Sequence, residues 1–205
     1  MVLDHDDLLD SRALEVLVES SLASRAPVIF GMSTDISEDQ EFPWRSEGWI
    51  GAEHILVSYM TLFEDSSHMG GALVRTRELA VPPFDSEVVP ADDYLFLLTI
   101  LRRFGPGVRI PFVVLGWRRH PGQTSSVMAA KDIGHKKLSA QRAFLSQGNL
   151  SKSEQRRLAA IHSYQTAWMA HHYRKDPLGV LFHLAKALAR DPSLAKRLVG
   201  RALLS

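Results

Sequence analysis

This sequence predicts an α/β fold carrying a basic, helical C-terminal extension, and three observations support that prediction. Apolar Met1-Val2-Leu3, amphipathic Ser11 to Ala23 and apolar Pro27 to Gly31 alternate as strand, helix and strand, the pattern of a parallel sheet covered by helices. Tyr94 to Phe104 is an apolar helix with Asp92-Asp93 at its start and Arg102-Arg103 before Gly105 at its end, matching the helix dipole at both ends, and a strand-like run follows it. Charge also divides along the chain. Through residue 100 there are 5 Lys and Arg against 19 Asp and Glu, and beyond it 19 against 4, within a net charge of only +1.

The length of 205 residues accommodates one domain with a sizeable core plus an appendage, and 45% hydrophobic with 23% charged residues is ordinary for a globular protein. The absence of cysteine excludes disulfides and thiolate metal sites and fits a reducing cytosol. No apolar run approaches the roughly 18 residues of a membrane span, and Met1 opens directly into structure without a charged leader or cleavage site. A cytoplasmic protein is expected, soluble or peripheral at the inner face of a membrane.

In chain order, Leu14, Leu17, Val18 and Leu22 are spaced to form the apolar face of a helix lying on the sheet, with Glu15 and Glu19 opposite. Val28-Ile29-Phe30, bounded by Pro27 and Gly31, reads as a buried strand parallel to the first, making a βαβ unit. Ser33 to Glu47 is acidic, contains Pro43 and Trp44, and predicts an exposed loop or irregular hairpin. Ala52 to Phe63 returns to helical periodicity. Ala72-Leu73-Val74 reads as a strand, Thr76 to Leu79 as a helical turn and Pro82 to Asp85 as a loop. Val108 to Trp117 is a strand placed near a sheet edge because Pro111 removes one backbone donor. Helices are predicted around 127–145, 151–173 and 178–203, the last broken at Asp191-Pro192. The domain division expected is therefore 1–126 and 127–205.

The candidate chemistry begins with Asp4, Asp6 and Asp7 at the end of the first strand. Carboxylates this close spread into solvent, share a proton, or are held together by a divalent cation; an acidic turn capping the next helix is the plainer reading. Gly70-Gly71 lets a backbone approach a ligand closely, or makes a simple turn. Arg118-Arg119-His120-Pro121-Gly122, with hydroxyls through Ser126, offers bidentate phosphate contacts and an imidazole ligand, or else a basic surface turn.

Three separated segments together resemble the second half of the family 2 glycosyltransferases, inverting enzymes of the GT-A fold. These are Leu3-Asp4-His5-Asp6-Asp7-Leu8-Leu9; Arg75 with Phe84-Asp85 and Ala91-Asp92-Asp93-Tyr94; and Trp117-Arg118-Arg119-His120-Pro121-Gly122 with Ser125. The resemblance covers about residues 1–126 and rests on the conjunction, in order and spacing, of these motifs. It implies a GT-A-like, partial Rossmann-like sheet in residues 1–126 that lacks the N-terminal nucleotide-binding strands, followed by the helical extension. It implies transfer of a sugar from a nucleotide-diphosphate donor to the hydroxyl of a saccharide or lipid-linked acceptor, as in synthesis of cell-envelope polysaccharide. Asp4 and Asp6 match the DxD motif that binds Mn²⁺ or Mg²⁺ and the donor diphosphate, with Asp6 favoured as the direct ligand. Asp93 matches the catalytic base, and Arg118 and His120 match the terminal motif that closes over diphosphate and metal. Gly70, Gly71 and Asp92 fall on the acceptor side, Asp92 standing where the family more often has Glu.

Members of that family begin with strands that bind the base and ribose, whereas this chain begins at the DxD strand. The expectation is a truncated form, or one completed by a partner or an N-terminal segment. An inactive interaction module derived from such an enzyme is the alternative. A haloacid-dehalogenase-like phosphatase is less well matched, because Leu8 follows the acidic motif and no later lysine motif pairs with it. An EF-hand loop fails at Leu8 and Asp10 for want of the required glycine. The basic tail has few aromatics among its charges, which argues against nucleic acid and leaves an anionic membrane surface as its expected partner.

Overall fold

A computed structural model of the chain describes residues 7–37, 54–66, 71–75, 86–122, 128, 130–148 and 150–194. The chain divides into two compact units, residues 1–128 and 129–205. The first is mixed α/β. Its strands are β1 (Leu8–Leu9), β2 (Val28–Ser37), β3 (Ile55–Val57), β4 (Ala72–Val74) and β5 (Gly107–Arg119), and its helices α1 (Ala13–Ser24), α2 (Tyr59–Glu64) and α3 (Asp92–Phe104).

The sheet order is β1-β5-β2-β4. β5 runs parallel to β2 from Ile29 opposite Val108 to Ser37 opposite Arg119. β1 and β3 share the other edge of β5, both antiparallel, β3 against Gly107 to Arg109 and β1 against Leu115 and Gly116. β5 is thus the long central strand on which the unit is built.

Helices cover both faces. Along β5, Val108, Ile110, Phe112 and Val114 alternate with residues of the opposite face and join Ile29 in a cluster with Ala13, Val16 and Leu17 of α1. Complete burial of Leu17 contributes about 2 kcal/mol. On the other face, Phe30 and Leu101 of α3 meet over Gly107, where a side chain would strike both and the carbonyl of Val28. α3 buries Tyr94 to Leu98, Ile100 and Leu101, so the helix predicted from Tyr94 to Phe104 is present with acidic residues in its first turn and arginines in its last.

Several expectations are corrected. The expected strand Met1-Val2-Leu3 lies outside the described residues; the described β1 lies beside β5, antiparallel to it, and the parallel partner of β2 is β5. The face α1 turns to the sheet is Ala13, Val16 and Leu17, while Leu14, Val18 and Leu22 are exposed. Both sets are spaced for one helix face, and the one with small Ala13 packs against the sheet. Ser33 to Ser37 continue β2 instead of opening a loop. Ile55 to Val57 form a strand, and the helix expected from Ala52 starts at Tyr59, where Ser58 caps it by accepting the Thr61 N–H.

The strand containing Pro111 is central, not peripheral. Phe30 is opposite Arg109 and Met32 opposite Val113, so three residues of β5 bulge against Gly31 alone, and Pro111 sits in that bulge where the ladder is already interrupted.

The second unit contains α4 (Ala130–Ser146), α5 (Lys152–Met169) and α6 (Pro177–Arg190), with a π-helical turn at Ala170–Arg174 joining the last two. Ser151 and Glu154 form a reciprocal capping box on α5, and Asp176 caps α6 through the Gly179 N–H. Packing centres on Leu138, Phe144, Leu158 and Ile161. Within it lies a polar chain: Gln141 donates to Gln165 Oε1 at 2.6 Å and pairs with His162 Nδ1 at 3.1 Å. Arg190 donates to Ser163 Oγ at 2.8 Å and to the Ala159 carbonyl at 3.2 Å.

Candidate functional site at the carboxyl end of the parallel strands

Because β2 and β5 are parallel, their carboxyl ends coincide, with Ile36 opposite Arg118 and Ser37 opposite Arg119. In an open sheet this is the edge beyond which ligands bind. Here the chain before β1 is tied in: the Arg118 backbone N–H donates to Asp7 Oδ1 at 3.2 Å. Residues 111 positions apart in sequence are joined by that bond. It brings Asp7 to the start of the Arg118-Arg119-His120 motif.

The two arginines differ in surroundings. Arg119 pairs with Asp35 at 3.0 Å and stacks on the Trp117 ring with its guanidinium 3.7 Å from the centroid. The pair is solvent-exposed and worth under about 1 kcal/mol, so its effect is to orient Arg119 along β2. Arg118 is half-buried, as is His120. A side chain at Gly122 would lie 3.4 Å from His120 Nδ1.

Asp92 and Asp93 occupy the first turn of α3 and are half-buried. Asp93 Oδ1 accepts the Tyr94 N–H at 2.6 Å, and the Tyr94 hydroxyl donates to the Phe63 carbonyl at 3.2 Å, holding the head of the helix against α2. The positive end of the helix dipole faces these carboxylates.

Gly71 is buried with φ +44°, a left-handed conformation suited to glycine. Its carbonyl accepts the Gly31 N–H at 3.2 Å. Side chains at Gly31 or Gly71 would collide with Val114, so the close approach made by Gly71 is to that valine. Arg75 turns back to α1, donating to the Ser21 carbonyl at 2.6 Å and to Ser21 Oγ at 3.3 Å, where its charge meets the negative end of the helix.

Asp4, Asp6, Gly70, Phe84, Asp85 and Ser125 lie outside the described residues. Among the described residues no three His, Asp or Glu side chains group as a metal site. Sequence reasoning passed over Asp7, Asp35 and Arg119 as individuals. Asp7 had a signal, membership of the acidic run, but its partner depends on the register of β1 against β5.

In the second unit burial pushes His162 down from 6.5 to about 4, with Arg142, Arg190, His183 and Lys186 adding repulsion. Neutral at pH 7, His162 donates through Nδ1 to Gln141 Oε1. Burial likewise lowers His183, with Lys186 the next cause.

Among solved structures, this chain is similar in fold to residues 1–349 of S. aureus TarS in complex with UDP-GlcNAc, at TM-score 0.56 and 12% identity. The match covers 92% of this chain, which spans 56% of that one. At this identity the likeness is one of fold. No family model matches the chain, and no curated protein sequence does.

Proposed function

We propose that this protein is a metal-dependent, inverting glycosyltransferase of the family 2 type, taking a nucleotide-diphosphate sugar as donor and the hydroxyl of a saccharide or lipid-linked acceptor. The observation that carries the reading is the Asp7 to Arg118 hydrogen bond. Asp6 is the peptide neighbour of Asp7, and His120 is two residues from Arg118, so both candidate motifs are within a few residues of one contact. The similarity in fold to a structure holding UDP-GlcNAc supports the donor class.

Carboxylate oxygens of Asp4 and Asp6 with the His120 imidazole suit Mn²⁺ or Mg²⁺. Such an ion, when bound, would supply positive charge to neutralise the departing diphosphate. Arg118 binds the diphosphate as a positive charge on β5. Asp93 accepts the proton of the acceptor hydroxyl as that oxygen attacks the anomeric carbon from the side opposite the diphosphate, which inverts the centre. Asp92 and the Gly70-Gly71 pair are assigned to the acceptor side. The reaction is assigned to the cytoplasm and to cell-envelope polysaccharide.

The diphosphate and metal contacts are assigned to this chain's own residues, so UDP is the appropriate probe. Calorimetric titration should detect UDP binding that requires Mn²⁺, and Asp6→Ala should weaken it at least tenfold, since Leu8 and His5 do not replace a charged oxygen ligand. Metal-dependent binding unchanged by Asp6→Ala refutes the assignment.

A further inference from the structure

α6 turns its apolar side outward. Leu178, Leu181 and Phe182, at i, i+3 and i+4, are 78%, 64% and 62% exposed, and Leu188 continues the stripe at 37%. Among the described residues of this helix, Ala187 alone is buried. An exposed stripe of large apolar side chains along one helix marks a surface that another body covers.

The charge around the stripe selects the body. Arg174 and Lys175 immediately precede the helix and are exposed, and Lys186 lies beside Phe182, its ammonium 5.7 Å from the ring centroid. From residue 129 onward the sequence has 14 Lys and Arg against 4 Asp and Glu. Lys152, Arg156, Arg157 and Arg190 line an open cleft of about 850 Å³ in the same unit. Two such basic faces repel each other, while an anionic surface is attracted.

Among the described residues no helix is long and apolar enough to cross a membrane. A helix with leucines and phenylalanine on one side and cations at its flank and its start instead lies in the plane of the headgroups, with its apolar side at the acyl boundary. We infer that α6 is a membrane-surface helix that docks this protein on a bilayer containing acidic phospholipid, through Leu178, Leu181 and Phe182 with Arg174, Lys175 and Lys186 as headgroup contacts. The inference stands apart from the donor site and needs no sugar nucleotide for its test.

Co-sedimentation of the full chain with large vesicles tests it, using phosphatidylcholine alone and a 3:1 mixture with phosphatidylserine, about a quarter acidic lipid being enough for a surface potential. Binding is expected to the acidic vesicles, to weaken at least tenfold as salt rises from about 50 to 300 mM, and to be negligible on phosphatidylcholine alone. The double substitution Leu181→Asp with Phe182→Asp falls at exposed positions, so circular dichroism should be unchanged while binding drops at least tenfold. Lys186→Glu should weaken binding severalfold and reduce its salt dependence. Equal binding to both vesicle types, binding that survives the double substitution, or no binding at all overturns the inference. So does a lipid-free dimer, seen by sedimentation velocity, that the double substitution dissociates, since the stripe would then be an interface between copies.

Discussion

Acidification should loosen the helical unit through His162. The side chain has a lowered proton affinity in the folded protein, about 4 against 6.5 unfolded, because burial and then Arg142, Arg190, His183 and Lys186 oppose its charge. A group depressed in the folded state contributes stability that is complete above pH 6.5 and is lost as pH falls towards 4, where the unfolded chain binds a proton that the folded one refuses. Full linkage over that interval is roughly 3 kcal/mol at 1.36 kcal/mol per pH unit. Solvent reaches part of the ring, and screening brings the expected loss to about 2 kcal/mol. Carboxylates elsewhere also titrate, so the control is His162→Asn, whose amide can still donate to Gln141 but does not ionise in this range. Urea unfolding of both proteins, followed by far-ultraviolet circular dichroism at pH 7.5, 6, 5 and 4, gives the difference in stability. Wild type should lose about 2 kcal/mol relative to the variant between the two ends of the series. Parallel pH profiles would refute the argument that burial keeps His162 neutral.

Two further substitutions address the first unit. Gly31→Ala should cost about 2 kcal/mol in urea unfolding, because its Cβ would fall 2.6 Å from Val114 Cγ1, and Val114→Ala in the same chain should recover part of that loss; additive costs would mean the backbone moves aside. Asp93→Asn retains an oxygen for the Tyr94 N–H but does not accept a proton, so turnover of a nucleotide-sugar donor under the proposed reaction should slow on the order of a hundredfold with donor affinity little changed. Equal losses in rate and affinity would make Asp93 a structural cap of α3.

Amino-acid order alone specified the elements whose signal is local. α3 was legible because its apolar run is long and its two ends carry charges matched to the helix dipole. The three helices of the second unit were legible for the same reason, their period of 3.6 being sustained between the breaks at Ser146 to Ser151 and at Lys175 to Pro177. Even the strand Ala72–Val74 stood out, bounded by glycine and charge. Which strand pairs with which, and in which direction, is decided by the packing of distant segments. Val28 to Phe30 and Val108 to Trp117 each read as a strand, yet nothing within either says that they are parallel neighbours. Only the tertiary structure placed Pro111 in a bulge of the central strand, chose Ala13 over Leu14 for the buried face of α1, and left the leucines of α6 outside. The same holds for the candidate site: Asp7 and Arg118 are separated by 111 positions, and their hydrogen bond exists because β1 pairs antiparallel with the end of β5. A periodic pattern encodes that a side is apolar; what that side meets depends on the whole sheet.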